Sequence, residues 1–191
     1  MIQYPSGKAR KNKQRLPTST SNRGNALEED INLSNQYYLA HDIAVVHKKP
    51  TPIQVVKVDY PSRNKAKITE AYYRRASTTD YNGIYNGRYL DFEAKETKNK
   101  TSFPLSSIHE HQIEHLESVI RHGAIAFFII RFTTLDETYL VYAQDVIHFI
   151  KNHTRKSIPH KWFQKHGHML EMSYQIPCNY LKVIKLNEEK L

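Results

Sequence analysis

The stretch that most constrains this chain runs from Thr78 to Lys95, Thr78-Thr79-Asp80-Tyr81-Asn82-Gly83-Ile84-Tyr85-Asn86-Gly87-Arg88-Tyr89-Leu90-Asp91-Phe92-Glu93-Ala94-Lys95. Asn86-Gly87 is a two-residue turn signal, because both positions of such a turn take left-handed backbone angles that Asn and Gly tolerate. It predicts two hairpin strands. Side chains alternate along a strand, so Asp91, Glu93 and Lys95 point to one face while Leu90, Phe92 and Ala94 point into a core. The turn also folds the strand led by Asp80 back beside them. The expected result is Asp80, Glu93 and Lys95 within reach of one another at a sheet edge.

Such a set has a chemical use. Hydrolysis of a phosphodiester needs a water to attack phosphorus while negative charge grows on the phosphoryl oxygens. Hard oxygen ligands such as Asp80 and Glu93 suit Mg²⁺, which keeps several waters and bridges to phosphate. The metal lowers the pKa of a bound water and neutralises developing charge. A lysine at position 95 can orient that water or stabilise the transition state. The same D-x-E-x-K alternation also arises on an ordinary solvated strand face. Spacing alone leaves both open.

Charge narrows the partner class. Lys and Arg number 28 against 19 Asp and Glu, a formal net charge of +9 with 11 His uncounted. A balance of this kind favours polyanions, nucleic acid first. Before Glu28 there is no acid, and residues 1–22 carry Lys8, Arg10, Lys11, Lys13 and Arg15 among Ser, Thr, Asn and Pro. That composition predicts a disordered basic arm, with a passive tail as the plain alternative. The rest, 23–191, is long enough for one well-cored domain. No apolar run approaches the roughly 20 residues that a spanning helix needs. The N-terminus has no apolar segment of the secretory kind, and the single cysteine, Cys178, reads as core filling. A cytoplasmic setting is the simple expectation.

The pattern of elements predicts an α/β (α+β) sandwich on a mixed sheet. A helix is expected from Ser21 or Asn22 with Leu27, Ile31 and Tyr38 on one side. Strands follow at Ile43–His47 and Ile53–Tyr60, around the Lys48-Lys49-Pro50-Thr51-Pro52 break. After the 78–95 hairpin come a helix over His109–His122, strands at Ala124–Phe132 and Glu137–Ala143, short helices, and a last strand near Tyr180–Leu186. The segment Pro61–Ala76 holds Arg63, Lys65, Lys67, Tyr72, Tyr73, Arg74 and Arg75.

Longer motifs point to a family. Asp80 followed by Glu93-Ala94-Lys95 resembles the PD-(D/E)xK motif of the restriction-endonuclease-like superfamily. Ser21-Asn22-Arg23-Gly24, His47-Lys48-Lys49-Pro50-Thr51-Pro52, Ser77 to Gly83, Asp91 to Thr97, Lys100 to Leu105 and His109-x-His111-Gln112-Ile113 are similar, in this order, to the RecU-type Holliday-junction resolvases. The resemblance implies a restriction-endonuclease-like mixed sheet flanked by helices, with a projecting stalk at about 61–76. It implies a Mg²⁺ site at Thr78, Asp80, Glu93 and Gln112, with Mn²⁺ as an alternative metal, and Lys95 as the transition-state stabiliser. Arg23, Lys48, Arg63, Tyr72 and Tyr73 match positions tied to DNA binding. The implied activity is paired symmetric nicking of four-way junction DNA during homologous recombination and repair, by a homodimer that also meets the strand-exchange recombinase.

Two other readings compete. His111-Gln112-Ile113-Glu114-His115 matches H-x-x-E-H, an inverted zinc-peptidase pattern, but it leaves the basic charge and the hairpin carboxylates unexplained. The other is a non-catalytic DNA-binding regulator of the recombinase on a nuclease-like fold. An intact Asp80, Glu93 and Lys95 set argues against it.

Overall fold

The computed structural model describes residues 26–74 and 78–188. Arg23, the 1–22 arm and the end of the 61–76 segment lie outside the described residues. Helix α1 (Ala26–Ala40) is followed by β1 (Val45–Lys48), the ribbon β2 (Ile53–Asp59) and β3 (Lys67–Tyr73), and the hairpin β4 (Tyr81–Tyr85) and β5 (Arg88–Thr97). Then come β6 (Ser102–Pro104), α2 (Glu110–Arg121), β7 (Ile125–Phe132), β8 (Glu137–Tyr142) and α3 (Ala143–Asn152). The chain closes with β9 (Ser157–Pro159), α4 (His160–His166), β10 (His168–Met169) and α5 (Tyr180–Glu188).

The main sheet has six strands in the order β1-β4-β5-β7-β8-β10. It is mixed, because β5 and β7 run parallel while the other neighbours are antiparallel. A parallel pair needs a crossover, and α2 lies within it. The hairpin carboxylates therefore do not sit at a sheet edge as expected. β5 is an interior strand, flanked by β4 and β7, and its polar face lies under α2.

Alternation along the central strands feeds two cores. Leu90, Phe92, Phe127 and Ile129 pack on one side with Leu27, Ile31 and Tyr38 of α1 and Tyr180, Leu181 and Ile184 near α5. The rings of Tyr81, Phe92 and Phe127 stack across three adjacent strands at 4.9 and 4.5 Å. On the other side Phe128, Ile130, Phe132 and Val141 meet Leu116 of α2, Val146 and Phe149 of α3 and Phe163 of α4. Both faces of β7 are buried throughout, which explains its unbroken apolar run. Cys178 is buried here, and burial pushes its thiol up to about 12, so it fills the core without reactivity.

The last strand expected near Tyr180–Leu186 is instead helix α5. Tyr180, Leu181 and Ile184 are buried at spacings of one and four, a helical stripe that a short window cannot separate from a strand. The hairpin turn forms as expected, with Asn86 at φ 49° and Gly87 at φ 74°. Gly83 carries a different constraint. A Cβ there would lie 2.2 Å from the Val45 carbonyl oxygen and 2.6 Å from Val46 Cα, so only glycine lets β1 close on β4.

β2 and β3 form a two-stranded sheet of their own, paired from Ile53↔Tyr73 to Asp59↔Lys67, with every residue exposed. The exposed ribbon thus begins at Ile53, ahead of the segment 61–76 marked out in the sequence. Register irregularities around Lys57 increase its twist. A ribbon with no core on either face is marginal by itself.

Candidate active site

β1 ends at Lys48, and the pairing with β4 carries on to a hydrogen bond from Lys49 N–H to the Asp80 carbonyl at 2.7 Å. That contact fixes the chain just ahead of β4 and sets Asp80 opposite β5. The Asp80 N–H donates to Glu93 Oε2 at 3.0 Å. Lys95 Nζ lies 2.5 Å from Glu93 Oε1, and Gln112 Nε2 donates to the same oxygen at 2.7 Å. The structure therefore brings Asp80, Glu93, Lys95 and Gln112 together, as the hairpin geometry and the resemblance required. At the start of α1, Glu96 accepts from the Leu27 N–H at 3.1 Å, tying that helix to the end of β5.

Glu93 is fully buried. Loss of hydration lifts its carboxyl to about 7, the Lys95 ammonium pulls it down, and the adjacent Asp80 carboxylate pushes it up. Two neighbouring carboxylates, with the one ammonium of Lys95 on Glu93, form an electrostatically unfavourable set that a divalent cation would relieve. Among the described residues no three His, Cys, Asp or Glu side chains converge on one point. A cation here would draw on Asp80 and Glu93, neutral oxygens and water, a donor set that suits Mg²⁺.

Gln112 meets this site through its nitrogen. Its Oε1 accepts from the His109 N–H at 3.0 Å, capping α2, so its Nε2 faces Glu93. Direct metal ligation by its oxygen would cost that cap. Thr78 stands at the lip of a cavity of about 290 Å³, lined also by Glu28, Lys48, Lys49, Thr79 and Asp80. Lys48 is held there by an ion pair with Glu28 at 2.5 Å. Arg63 sits in a 3₁₀ turn, Arg63–Lys65, at the tip of the β2–β3 ribbon, whereas Tyr72 and Tyr73, 61% and 84% exposed, lie at its base. The candidate DNA contacts thus divide between tip, base and cavity mouth.

Sequence reasoning assigned no role to Asp91, and the structure makes it a hub. Its buried carboxylate accepts from Thr79 Oγ1, from Tyr89 OH at 2.9 Å and from Lys49 Nζ at 3.1 Å, with His115 Nε2 at 2.9 Å. Gln112 and His115, three residues apart on one face of α2, cover Glu93 and Asp91, two residues apart on one face of β5. That matched spacing was the available signal. It also accounts for half of the H-x-x-E-H pattern, since His115 turns to Asp91 while the His111 ring stacks on His109 at 5.5 Å.

The family model for RecU, Recombination protein U, matches residues 22–186. The chain belongs to the RecU family. A Holliday junction resolvase RecU of Geobacillus sp. (strain WCH70) is 52% identical over 97% of this chain and 96% of its own length. Those of Geobacillus kaustophilus (strain HTA426) and Bacillus cereus (strain B4264) are each 52% identical over 96% and 97% of this chain, and over 96% and 97% of their own lengths. Among solved structures, Archaeoglobus fulgidus Hjc, a Holliday junction resolvase, gives a TM-score of 0.44 at 14% identity, over 76% of this chain and 95% of its own. That likeness is too loose to carry an argument, whereas the RecU match spans nearly all of the described residues.

The raised carboxyl of Glu93 fixes a pH dependence for the metal-free protein. Below about pH 4.5 Glu93 is protonated in both folded and unfolded chains. Between about 4.5 and about 7 the unfolded chain ionises first, so folding stability falls as pH rises, and the loss is complete above 7. Thermal unfolding in EDTA from pH 5 to 8 should show this fall, and Glu93→Gln should flatten it. A wild-type profile that rises with pH while the variant's stays flat would contradict the assignment.

Proposed function

We propose that this chain is a Holliday junction resolvase, a Mg²⁺-dependent endonuclease that makes paired symmetric nicks in four-way junctions during recombination and repair. The observation that carries the reading is the convergence of Asp80, Glu93 and Lys95 on a buried face in a RecU-family chain. The names of its relatives support the substrate. Asp80 and Glu93 would hold the metal, with Thr78 contributing from the lip and Gln112 fixing the Glu93 carboxylate. Bound there, Mg²⁺ supplies a water of lowered pKa and neutralises charge on the phosphoryl oxygens.

The protein's own groups do the rest. Lys95 faces the reacting phosphate with a fixed ammonium and stabilises the charge that develops on its oxygens. Lys48, 41% exposed beside Glu28, presents a cation at the cavity that backbone phosphate can meet, while Lys49 is committed to Asp91. The β2–β3 ribbon acts as the stalk: Arg63 reaches the crossover from its tip, and Tyr72 and Tyr73 offer rings to bases opened at its root. Two symmetric nicks call for two sites related by a two-fold axis, hence a homodimer. The basic arm including Arg23 adds phosphate contacts, and the strand-exchange recombinase is a further partner. No helix among the described residues is long and apolar enough to cross a membrane, which suits a cytoplasmic enzyme acting on DNA.

The test is incubation of the purified chain with a mobile synthetic junction and a matched linear duplex, in Mg²⁺ or EDTA, resolved strand by strand. Metal-dependent nicks on two opposed strands of the junction are expected, and Asp80→Ala should bind without cutting. Binding without cuts by the wild type would make the chain a regulator. Equal cutting of the linear duplex would make it a nuclease of another substrate.

A further inference from the structure

Most cations around the candidate active site already have carboxylate partners. Lys48 pairs with Glu28, Lys49 with Asp91, Lys95 with Glu93 and Arg131 with Asp30. One end of the molecule differs. Between Glu96 and Glu110, and again between Asp145 and Glu171, the sequence has no acid. The fold brings these two acid-free segments together through the β6–β9 ladder, Ser102↔Pro159 to Pro104↔Ser157. Its flanks are fastened by Leu105 N–H to the Lys156 carbonyl at 3.0 Å and His160 N–H to the Thr101 carbonyl at 2.8 Å.

Those bonds gather exposed cations. Lys100 precedes Thr101, and Lys161 follows His160, so the two flank a single hydrogen bond. Arg155 and Lys156 come from the loop that leads into β9. Lys165 lies one helical turn beyond Lys161 and shares its side of α4. Lys98 is anchored beside them where its carbonyl accepts from Thr134 Oγ1 at 2.7 Å. All six are exposed. Among the described residues none of them has an acid in ion-pair range.

We infer that this cluster, Lys98, Lys100, Arg155, Lys156, Lys161 and Lys165, is a second DNA-backbone site that grips the duplex arm leading away from the nicked position. The inference rests on the resolvase reading for the identity of the arm. Its geometry follows from β5, which carries Lys95 and ends at Thr97, directly before the cluster. Three residues of extended chain separate Lys95 from Lys98, about 10 Å at strand rise. That distance corresponds to about three base pairs along a duplex. Lys98 follows the end of β5, outside the strand's alternation, so an arm with its reacting phosphate at Lys95 that runs on past this strand end meets Lys98 and then the β6–β9 end. The carboxylate that reaches this end, Glu137, is held by His160 at 2.6 Å and by Tyr139 at 2.7 Å, so the six ammonium and guanidinium groups, with no acid paired to them, give up only counterions when they meet phosphate. Binding of this kind carries no sequence preference.

The test uses the full chain bearing Lys98→Gln, Lys100→Gln, Lys156→Gln and Lys161→Gln, with anisotropy of a labelled long-armed junction in EDTA across a salt series. Each lost phosphate contact flattens the slope of log affinity against log salt by about 0.9, so a change of about 3 to 4 is expected, with affinity lower by tenfold or more at moderate salt. The matched four-Arg variant keeps the charge and should bind like the wild type. An unchanged slope in the Gln variant would overturn the site, and so would equal loss in the Arg variant, which would trace the effect to something other than charge. The resolvase reading is judged separately, by whether the wild type cuts junctions in Mg²⁺. A wild type that binds with the expected slope difference but never cuts sinks that reading and upholds the cluster as a duplex site.

Discussion

Lys95→Ala should slow junction cleavage by about 10²- to 10³-fold while junction binding persists, the scale seen when one transition-state charge donor is removed. Among the described residues Lys95 pairs with Glu93 at 2.5 Å, and its side chain is 23% exposed, so its ammonium lies at the boundary between the buried carboxylate and solvent. Its removal has a second consequence. Lys95 is the main influence lowering the Glu93 carboxyl, so the variant should hold Glu93 protonated to higher pH. Metal binding needs the ionised carboxylate. Residual activity should therefore rise with pH over a range shifted above that of the wild type. Single-turnover cleavage across pH 6 to 9 reads both effects. A variant that loses binding and cutting in equal proportion would place Lys95 in ground-state DNA contact, and an unshifted profile would detach it from Glu93.

How much of this site could be read from the sequence depends on the range of the contacts that build it. The β4–β5 hairpin was legible because the Asn86-Gly87 turn and the alternation of Leu90, Phe92 and Ala94 are local. β7 was legible because a strand buried on both faces leaves an unbroken apolar run. Lys95 beside Glu93 followed from two-residue spacing alone. The cover over that face did not. That α2 lies across β5, with Gln112 on Glu93, is a contact between elements joined by a crossover, and only the family motifs hinted at it. The burial of the carboxylates was missed for the same reason. A polar strand face reads as solvated unless the helix above it is known. At α5 the difficulty was different, since Tyr180, Leu181 and Ile184 satisfy a short apolar window in either periodicity. The cation cluster at the β6–β9 end was invisible as a unit, because Lys98 and Lys100 are separated by some sixty residues from Lys156 and Lys161 in the sequence.

Asp91→Ala should cost about 3 to 5 kcal/mol of folding stability, the range for removing one partner from a buried charge network. For a domain of this size each kcal/mol lowers Tm by roughly 2–4 °C, so a drop on the order of 10 °C is expected. The carboxylate is wholly buried and is the shared acceptor for Thr79, Tyr89 and Lys49, with His115 alongside. Lys49 and His115, 19% and 22% exposed, retain some access to water, which places the expectation toward the lower end. Asp91→Asn keeps one acceptor and should lose less. Differential scanning calorimetry of both variants decides the matter: a Tm within 2 °C of wild type for Asp91→Ala would deny the hub its structural weight. The contrast with Glu93 explains why two carboxylates on one strand face have different fates. Asp91 is surrounded by partners from the segment just after β1, from β5, from α2 and from the turn before β4, so its oxygens are committed to holding those parts together. Glu93 accepts from one backbone N–H, one amide and one ammonium, with the Asp80 carboxylate beside it. The carboxylate that lacks enough positive charge is the one left able to recruit a cation.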